Sequence, residues 1–506
     1  MRLRSLPLLL LTAAALVPAC TPRKAHVAPP VGPGAVSVDP GDPTIAEAAP
    51  LRLEVVTELA NRFVEADASG EVLARIQIRA PSPGDTPRPR ANIALVVDTS
   101  ASMEGDAIVR ARQAALTLLE GLRDGDVLSV VAFGSSAEVL APATVLDADT
   151  RPALRTAIEG MRAWGTTDLA GGLQAALQQA QAQARGGEIN RMVLLSDGVP
   201  NDEAPITNLA QQARNGGISI TALGLGLEYH ETLLGQIAQL SGGNFHFVED
   251  PAKVAAVFRD EVLAIDRLAA RGLSVTLTPG PGVSIVDVPG HALGYNGRNV
   301  VVGLPDLAEG QMHQLVVRLA VGEHRDGATV ELLDGMVGYV EARSGQVQQE
   351  QTFVAAQASG DAAEREEGIN LSVAVAAARA TTAAATLHIV AMARSGQVGE
   401  ATRELDETVA QAKALSQRMP DAELARLVDD LVELRPTLPG LAPPPPPTVS
   451  HQRRPSKGKA VELGDAVPFA EMQPGTAASG GVGLSAAGAR NVRATHERAF
   501  RTLNGG

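Results

Sequence analysis

The order of apolar and polar residues divides the chain into stretches of different period. In Leu51, Leu53 and Val55, and again in Ala74, Ile76 and Ile78, apolar residues alternate with polar ones, the period of a strand with one buried face. Asp67, Ser69 and Gly70 supply turn chemistry between them, and a Pro/Arg-rich break covers 81–90. From 92 to about 264 the alternation gives way to unbroken apolar runs at Ile93–Val97, Val127–Phe133, Met192–Leu195, Ile218–Leu223 and Phe245–Val248. Such runs suit strands covered on both faces of a mainly parallel sheet. Ile108, Ala111, Ala115, Leu118 and Leu122 recur at steps of three and four, which marks one face of a helix between the first two runs. An α/β domain is therefore expected, with helices covering a central sheet.

From 271 to 355 the alternating period returns, in Leu273/Val275/Leu277, Val283/Ile285, Val300/Val302, Leu315/Val317/Leu319 and Val330/Leu332. Pro279-Gly280, Asn296-Gly297 and Asp326-Gly327 separate these strands, the pattern of an antiparallel β-sandwich. Two strands at 51–80 are not stable alone, so they are expected to join this later sheet. The α/β domain then becomes an insertion with its two chain ends close together. Residues 361–435 are Ala-rich with helical spacing, broken at Ser395-Gly396 and Pro420, and predict two or three packed helices. Beyond them come five prolines at 443–447 and a Gly/Ala/Ser-rich stretch, so 437–506 is expected to be mostly disordered.

The first residues have a different character. Arg2 and Arg4 precede an apolar run from Leu6 to Val17 that is too short to span a bilayer and ends in Val17-Pro18-Ala19-Cys20. This resembles a bacterial lipobox, which implies cleavage before Cys20 and diacylation of its thiol. Cys20 is the only cysteine among 506 residues, so an internal disulfide and a Cys-based metal site are both excluded. Residues 20–50, with seven prolines after the cysteine, then form an extended tether. The expected layout is a signal peptide at 1–19, tether 20–50, strands 51–90, α/β domain 91–266, sandwich 267–358, helices 359–436 and tail 437–506. The most apolar later stretch, 371–393, contains Arg379, His388 and several threonines and reads as a buried Ala-rich helix, not as a span. A net charge of −14 argues against a broad nucleic-acid surface. Aromatic residues are only 2% of the chain, so its cores must be built from Ala, Val, Leu and Ile.

One run carries chemistry. The strand Ile93–Val97 leads directly into Asp98-Thr99-Ser100-Ala101-Ser102; Gly165-Thr166-Thr167-Asp168-Leu169 opens a helix; Leu194-Leu195-Ser196-Asp197-Gly198 ends a later strand. All three lie at carboxyl ends of predicted strands, where open α/β sheets place ligands. They offer only hard oxygen donors, which suit a divalent cation, Mg²⁺ before Ca²⁺ or Mn²⁺. In order and separation these segments resemble a von Willebrand factor type A (VWA) domain, whose metal-ion-dependent adhesion site carries D-x-S-x-S, a threonine loop and a second aspartate loop. The resemblance covers about 92–264 and implies a Rossmann-like VWA domain inserted in or flanked by the sandwich. It implies Ser100, Ser102 and Thr167 as hydroxyl ligands, with Asp98 and Asp197 acting mainly through water. It also implies an open position for an acidic side chain of a protein partner. Thr166 departs from the pattern, standing where relatives often carry a second glycine.

The runs Gly224-Leu225-Gly226, Leu233 to Ala238 and Ser241 to Phe245 resemble bacterial extracytoplasmic members likened to calcium-activated chloride channels or inter-α-trypsin inhibitor heavy chains. The channel label does not transfer, because the sequence offers no pore-forming span. Gly224-Leu225-Gly226 lacks the third glycine of a dinucleotide loop, and Gly458-Lys459 is followed by Ala460 and makes no P-loop, so no nucleotide is expected. His230-Glu231 and His496-Glu497 lack the second histidine of a zinc protease helix. Ser100 has no evident catalytic partners. Glu364, Glu366 and Glu367 suit a solvated first turn, and Arg453, Arg454, Lys457 and Lys459 a solvated basic patch. Trp164, the one tryptophan, precedes the threonine loop and is expected to pack in the core, with a place on the rim of the site as the alternative. The expectation is a non-enzymatic lipoprotein of the cell envelope, on the outer membrane where the host has one, that binds a protein through the metal. The alternative is a scaffold that works without metal.

Overall fold

The computed structural model describes residues 51–81, 88–185, 187–200, 202–226, 229–443 and 484–504. The signal sequence, Cys20 and the tether lie outside the described residues. The chain begins with β1 (Glu54–Leu59), β2 (Phe63–Glu65) and β3 (Gly70–Arg79). The α/β domain follows as β4 (Ala91–Asp98), α1 (Asp106–Gly121), β5 (Val127–Phe133), β6 (Ala137–Val145), α2 (Arg151–Glu159) and α3 (Leu169–Gln183). It continues through β7 (Ile189–Ser196), α4 (Ile206–Asn215), β8 (Ile218–Leu225), α5 (Glu231–Ser241), β9 (Phe245–Val248) and α6 (Val254–Asp266). Its six strands run in the order β6-β5-β4-β7-β8-β9, parallel except for the edge strand β6. Every residue of β4, β5, β7 and β8 is buried, as the unbroken apolar runs require. Helices α1, α2 and α6 cover one face through Leu118, Leu154 and Phe258, and α3, α4 and α5 the other through Leu173, Leu209 and Ile237.

The chain then returns as β10 (Leu268–Pro279), β11 (Val283–Asp287), β12 (Leu293–Asn296), β13 (Asn299–Gly303), β14 (Leu307–Ala308), β15 (Met312–Val321), β16 (Thr329–Glu341) and β17 (Val347–Ser359). One sheet has the order β1-β3-β15-β11 and the other β12-β13-β10-β16-β17-β2, with β14 beside β10. The N-terminal strands thus pair with strands more than two hundred residues away: Ile76 sits opposite Leu315, and β2 runs parallel to β17. The two sheets share one apolar core that includes Ile76, Ile78, Leu273, Val275, Leu315 and Val337. At the neck of the insertion, Arg88 precedes β4 and is almost fully buried. It donates from both terminal nitrogens to Asp126 (2.8 and 2.7 Å) and from Nε to Asp266, the last residue of α6. One guanidinium therefore ties the outgoing and returning chains together, and its bidentate geometry suits a buried site.

Helices α7 (Ala362–Glu367), α8 (Leu371–Arg394), α9 (Val398–Arg418) and α10 (Ala422–Leu434) follow. Asn370 caps α8 and Asp421 caps α10, where its carboxylate also holds Arg379. Among the described residues α8 alone is long and apolar enough to cross a membrane. It packs instead against α9, α10 and β3, with Ala377, Ala383, Ile389 and Val390 buried.

The expectation of disorder over 437–506 is corrected at its far end, where Ala486–Asn504 is a nineteen-residue helix, α11. Val492, Ala499, Phe500 and Leu503 recur at helical steps and are buried against α8, α10 and the α5–β9 edge of the α/β domain. Gly, Ala and polar residues dilute that stripe, so composition hid the period. Residues 444–483 lie outside the described residues. Glu231, fully buried at the start of α5, joins three bodies: Arg394 of α8 donates to it at 3.0 and 2.8 Å and Arg493 of α11 stands 3.8 Å away. Burial alone would raise this carboxyl, but the two guanidiniums lower it below its usual value.

Three histidines, His313 and His496 buried and His291 partly so, weaken the fold in acid. Burial pushes His291 and His496 down to about 4 and also lowers His313. Each then binds its proton more readily in the unfolded chain. Stability from them is complete above the unfolded value of about 6.5 and is lost as pH falls, for His291 and His496 down to about 4 and by at most about 1.4 kcal/mol per pH unit each. Urea unfolding between pH 7.5 and 4.5 should show this decline starting near 6.5, and a flat profile down to 5 would contradict it.

Candidate metal centre

The topology that buries β4 and β7 also aims their ends at one point. Val97 is in register with Leu195, so Asp98 and Ser196 emerge side by side at the carboxyl edge. Asp98 is fully buried. Its Oδ1 accepts the Ser100 amide at 2.8 Å and its Oδ2 accepts the Ser196 hydroxyl at 2.7 Å. Burial raises this carboxyl above its ordinary value, and the hydrogen bonds from Ser100, Ser196 and the Asp197 amide oppose the rise only in part. Among the described residues no arginine, lysine or histidine forms an ion pair with it.

After Asp98 the chain is extended at Ser100 (φ −62°, ψ 168°), makes one 3₁₀ turn over Ala101–Met103 and enters α1 through Gly105 at φ +84°. The Ser100 and Ser102 hydroxyls lie 2.9 Å apart, and Ser102 donates to Asp197 Oδ1 at 2.7 Å. The first and third loops are thereby joined directly. The second loop is held by its backbone: Ala101 N–H donates to Gly165 O at 3.0 Å and Asp168 N–H to Gly134 O at 2.8 Å. Asp168 caps α3 by accepting the Gly171 amide, which leaves Thr167 at the mouth of the helix, 8% exposed. A Cβ placed on Gly198 would lie 2.9 Å from Thr167 Oγ1 and 3.6 Å from Asp98 Oδ2. Asp98, Ser100, Ser102, Thr167 and Asp197 therefore converge on one small cradle.

Three further residues support the cradle, of which Ser135 alone lies outside the three sequence motifs. Ser196 holds Asp98, and the Ser135 hydroxyl accepts the Thr166 amide at 3.0 Å. Gly165 has φ +73°, and a Cβ there would meet Ser135 Oγ at 2.1 Å, so the turn needs glycine. Thr166 itself has negative φ, and the departure from the family's second glycine introduces no strain. Trp164 corrects the expectation of core packing: it is 41% exposed, with its ring against Gly134 on the rim of the cradle. Val199, also exposed, follows the third loop.

The chemistry of the donors suits a hard divalent cation. Three hydroxyls and two carboxylates converge, and the most buried carboxylate faces only neutral donors, an arrangement that leaves a negative charge for a cation to balance. Among the described residues no cluster of three or more His, Cys, Asp or Glu side chains exists, which leaves this hydroxyl-rich set as the candidate.

Residues 92–260 match the model of the von Willebrand factor type A domain family. The inserted α/β domain is a VWA domain, a module that commonly mediates protein–protein contact through a metal-ion-dependent adhesion site. Over this region the chain is 27% identical to the uncharacterized protein YfbK of Escherichia coli K12, covering 38% of this chain and 34% of that one. It is 28% identical to an uncharacterized Synechocystis protein (41% and 50% covered) and 26% identical to human inter-alpha-trypsin inhibitor heavy chain H4 (33% and 19%). The chain thus spans half or less of these relatives. In fold it is similar to a von Willebrand factor type A protein from Catenulispora acidiphila, with a TM-score of 0.60 at 18% identity over 79% of this chain and 93% of that one. The ArnB paralog VWA2 from Sulfolobus acidocaldarius gives 0.50 at 16% identity over 76% and 93%. Both cover far more than the VWA third of the chain, so the likeness extends to the flanking sheets.

Proposed function

We propose that this protein binds a partner protein through a divalent cation, Mg²⁺ before Ca²⁺ or Mn²⁺, held at the cradle of the VWA domain. Ser100, Ser102 and Thr167 offer hydroxyl oxygens to the ion, and Asp98 and Asp197 hold it mainly through water. The single observation that carries this reading is the fully buried Asp98 carboxylate, which accepts only neutral donors, from Ser100, Ser196 and the Asp197 amide, and has no cationic partner among the described residues. With few carboxylates in direct contact, the ion would keep much of its positive charge, and an acidic side chain of the partner would complete its coordination. The serine hydroxyls and carboxylates of the cradle are engaged with one another, an arrangement that supports a binding role. The apolar run before Cys20 and its place as the one cysteine support a lipid anchor at the cell envelope, on the outer membrane where the host has one. Two or more acyl chains suffice for stable attachment.

Calorimetric titration of Mg²⁺ into the purified protein tests the site. Asp98→Ala should weaken binding by about 10–100-fold, and Thr167→Ala less, since it removes one neutral donor. Partner capture from membranes should fail with chelator and with Asp98→Ala alike. Unaltered Mg²⁺ affinity in Asp98→Ala would place the ion elsewhere; absence of binding by the wild type would leave a metal-independent scaffold. Cys20→Ser should release the protein from membranes or trap its precursor, and normal cleavage with unchanged retention would contradict the anchor.

A further inference from the structure

At the other end of the parallel strands, where the VWA domain meets the two sheets, the starts of β7 and β8, the ends of α4 and α5, and β10 enclose a pocket of about 90 Å³. Its polar lining comes chiefly from Asn190, Arg214, Ser219, Arg271 and Asp306. The charges there do not pair evenly. Arg191, just behind the lining, is fully engaged: it reaches Asp306 at 2.9 Å, Glu261 at 3.3 Å and the Ser219 hydroxyl at 3.3 Å. Asp306 is equally committed, since its Oδ2 accepts from Arg191 and Ser219 and its Oδ1 accepts the Gly272 amide at 3.2 Å.

Two guanidiniums remain. Arg214 spends one donor on the Leu273 carbonyl at 2.8 Å, and its charge stands in the last turn of α4, where it offsets the negative end of that helix. Among the described residues the partly buried Arg271 side chain forms no hydrogen bond, and its Nε is buried without a partner. Burial lowers both below the usual arginine value, with Asp306 the one carboxylate acting on Arg214 and Asp306, Glu188 and Glu341 acting on Arg271 from a distance. Glu188 is already paired with Arg90, and Glu341 accepts the Arg343 and Ser344 amides. A guanidinium carries five donors in a planar fork that matches the oxygens of phosphate-like groups, and a buried polar group without a partner is costly. The pocket volume equals roughly three waters at about 30 Å³ each, enough for one tetrahedral ion.

We propose that this pocket binds one small oxyanion of the phosphate or sulfate class, held by Arg271 from the sheets and Arg214 from the VWA domain. The bound ion satisfies the donors of Arg271 and bridges the inserted domain to β10, so it strengthens the joint on the face opposite the metal cradle. Because it binds the folded chain alone, it raises stability by mass action.

Inorganic phosphate is the probe, used with the full chain in the presence of chelator so that no metal-bound anion contributes. Titration calorimetry should show one phosphate per chain, and the melting temperature should rise saturably with phosphate or sulfate but not with chloride at the same ionic strength. Arg271→Met should fold as well as the wild type in chloride and lose at least tenfold in phosphate affinity. Absence of a saturable phosphate site in the wild type, an equal shift with chloride, or undiminished phosphate affinity in Arg271→Met would overturn the proposal.

Discussion

A carboxylate at the end of a wholly buried strand needs compensation, and in this protein the neutral donors of Ser100, Ser196 and the Asp197 amide supply only part of it for Asp98. The geometry around the cradle follows from that constraint. Because β4 and β7 are neighbours in register, the Ser196 hydroxyl stands beside Asp98. Because the Ser102 hydroxyl reaches Asp197, the first and third loops are joined directly. The second loop is fixed by carbonyl and amide contacts to Ala101 and Gly134, which leaves the Thr167 side chain for the cradle instead of for holding the loop. Backbone hydrogen bonds set the framework, and hydroxyls and carboxylates line what it encloses.

The framework depends on chain segments far from it in sequence. The VWA domain leaves one sheet after β3 and returns to the other at β10, and Arg88 closes the neck by bridging Asp126 and Asp266. Glu231 performs a similar task at the α5 side, where Arg394 and Arg493 bring α8 and α11 onto the domain. Such buried pairs are poor sources of net stability, yet breaking one leaves an uncompensated charge. Their effect is to tie the VWA domain to the sheets and helices.

Much of the fold was legible because burial leaves a direct trace in sequence. The unbroken runs became the buried strands β4, β5, β7 and β8 and the partly buried edge strand β9, and the alternating stretches became the two sheets, whose one-sided burial requires alternation. The return of β1 and β3 to a later sheet followed from the instability of a lone hairpin. The five candidate ligand residues were legible through their order and their position after strands, and the structure brings those loops together. Helix α11 was missed because its buried stripe is spread among Gly, Ala and charged residues. The exposed position of Trp164 was missed because side-chain size speaks for burial while the tight turn at Gly165 turns the residue outward. The roles of Arg88, Ser135 and Ser196 depend on contacts across the fold, which no local period reveals.

The central claim is that a divalent cation completes the charge balance of Asp98, and the metal-free protein tests it most directly. Asp98→Asn keeps the shape of the side chain and removes the buried charge. In chelator at pH 7.5 this variant should melt at or above the wild-type temperature. Added Mg²⁺ should then raise the wild type and leave the variant unchanged. A variant that melts well below the wild type in chelator, or that gains as much from Mg²⁺, would contradict the account.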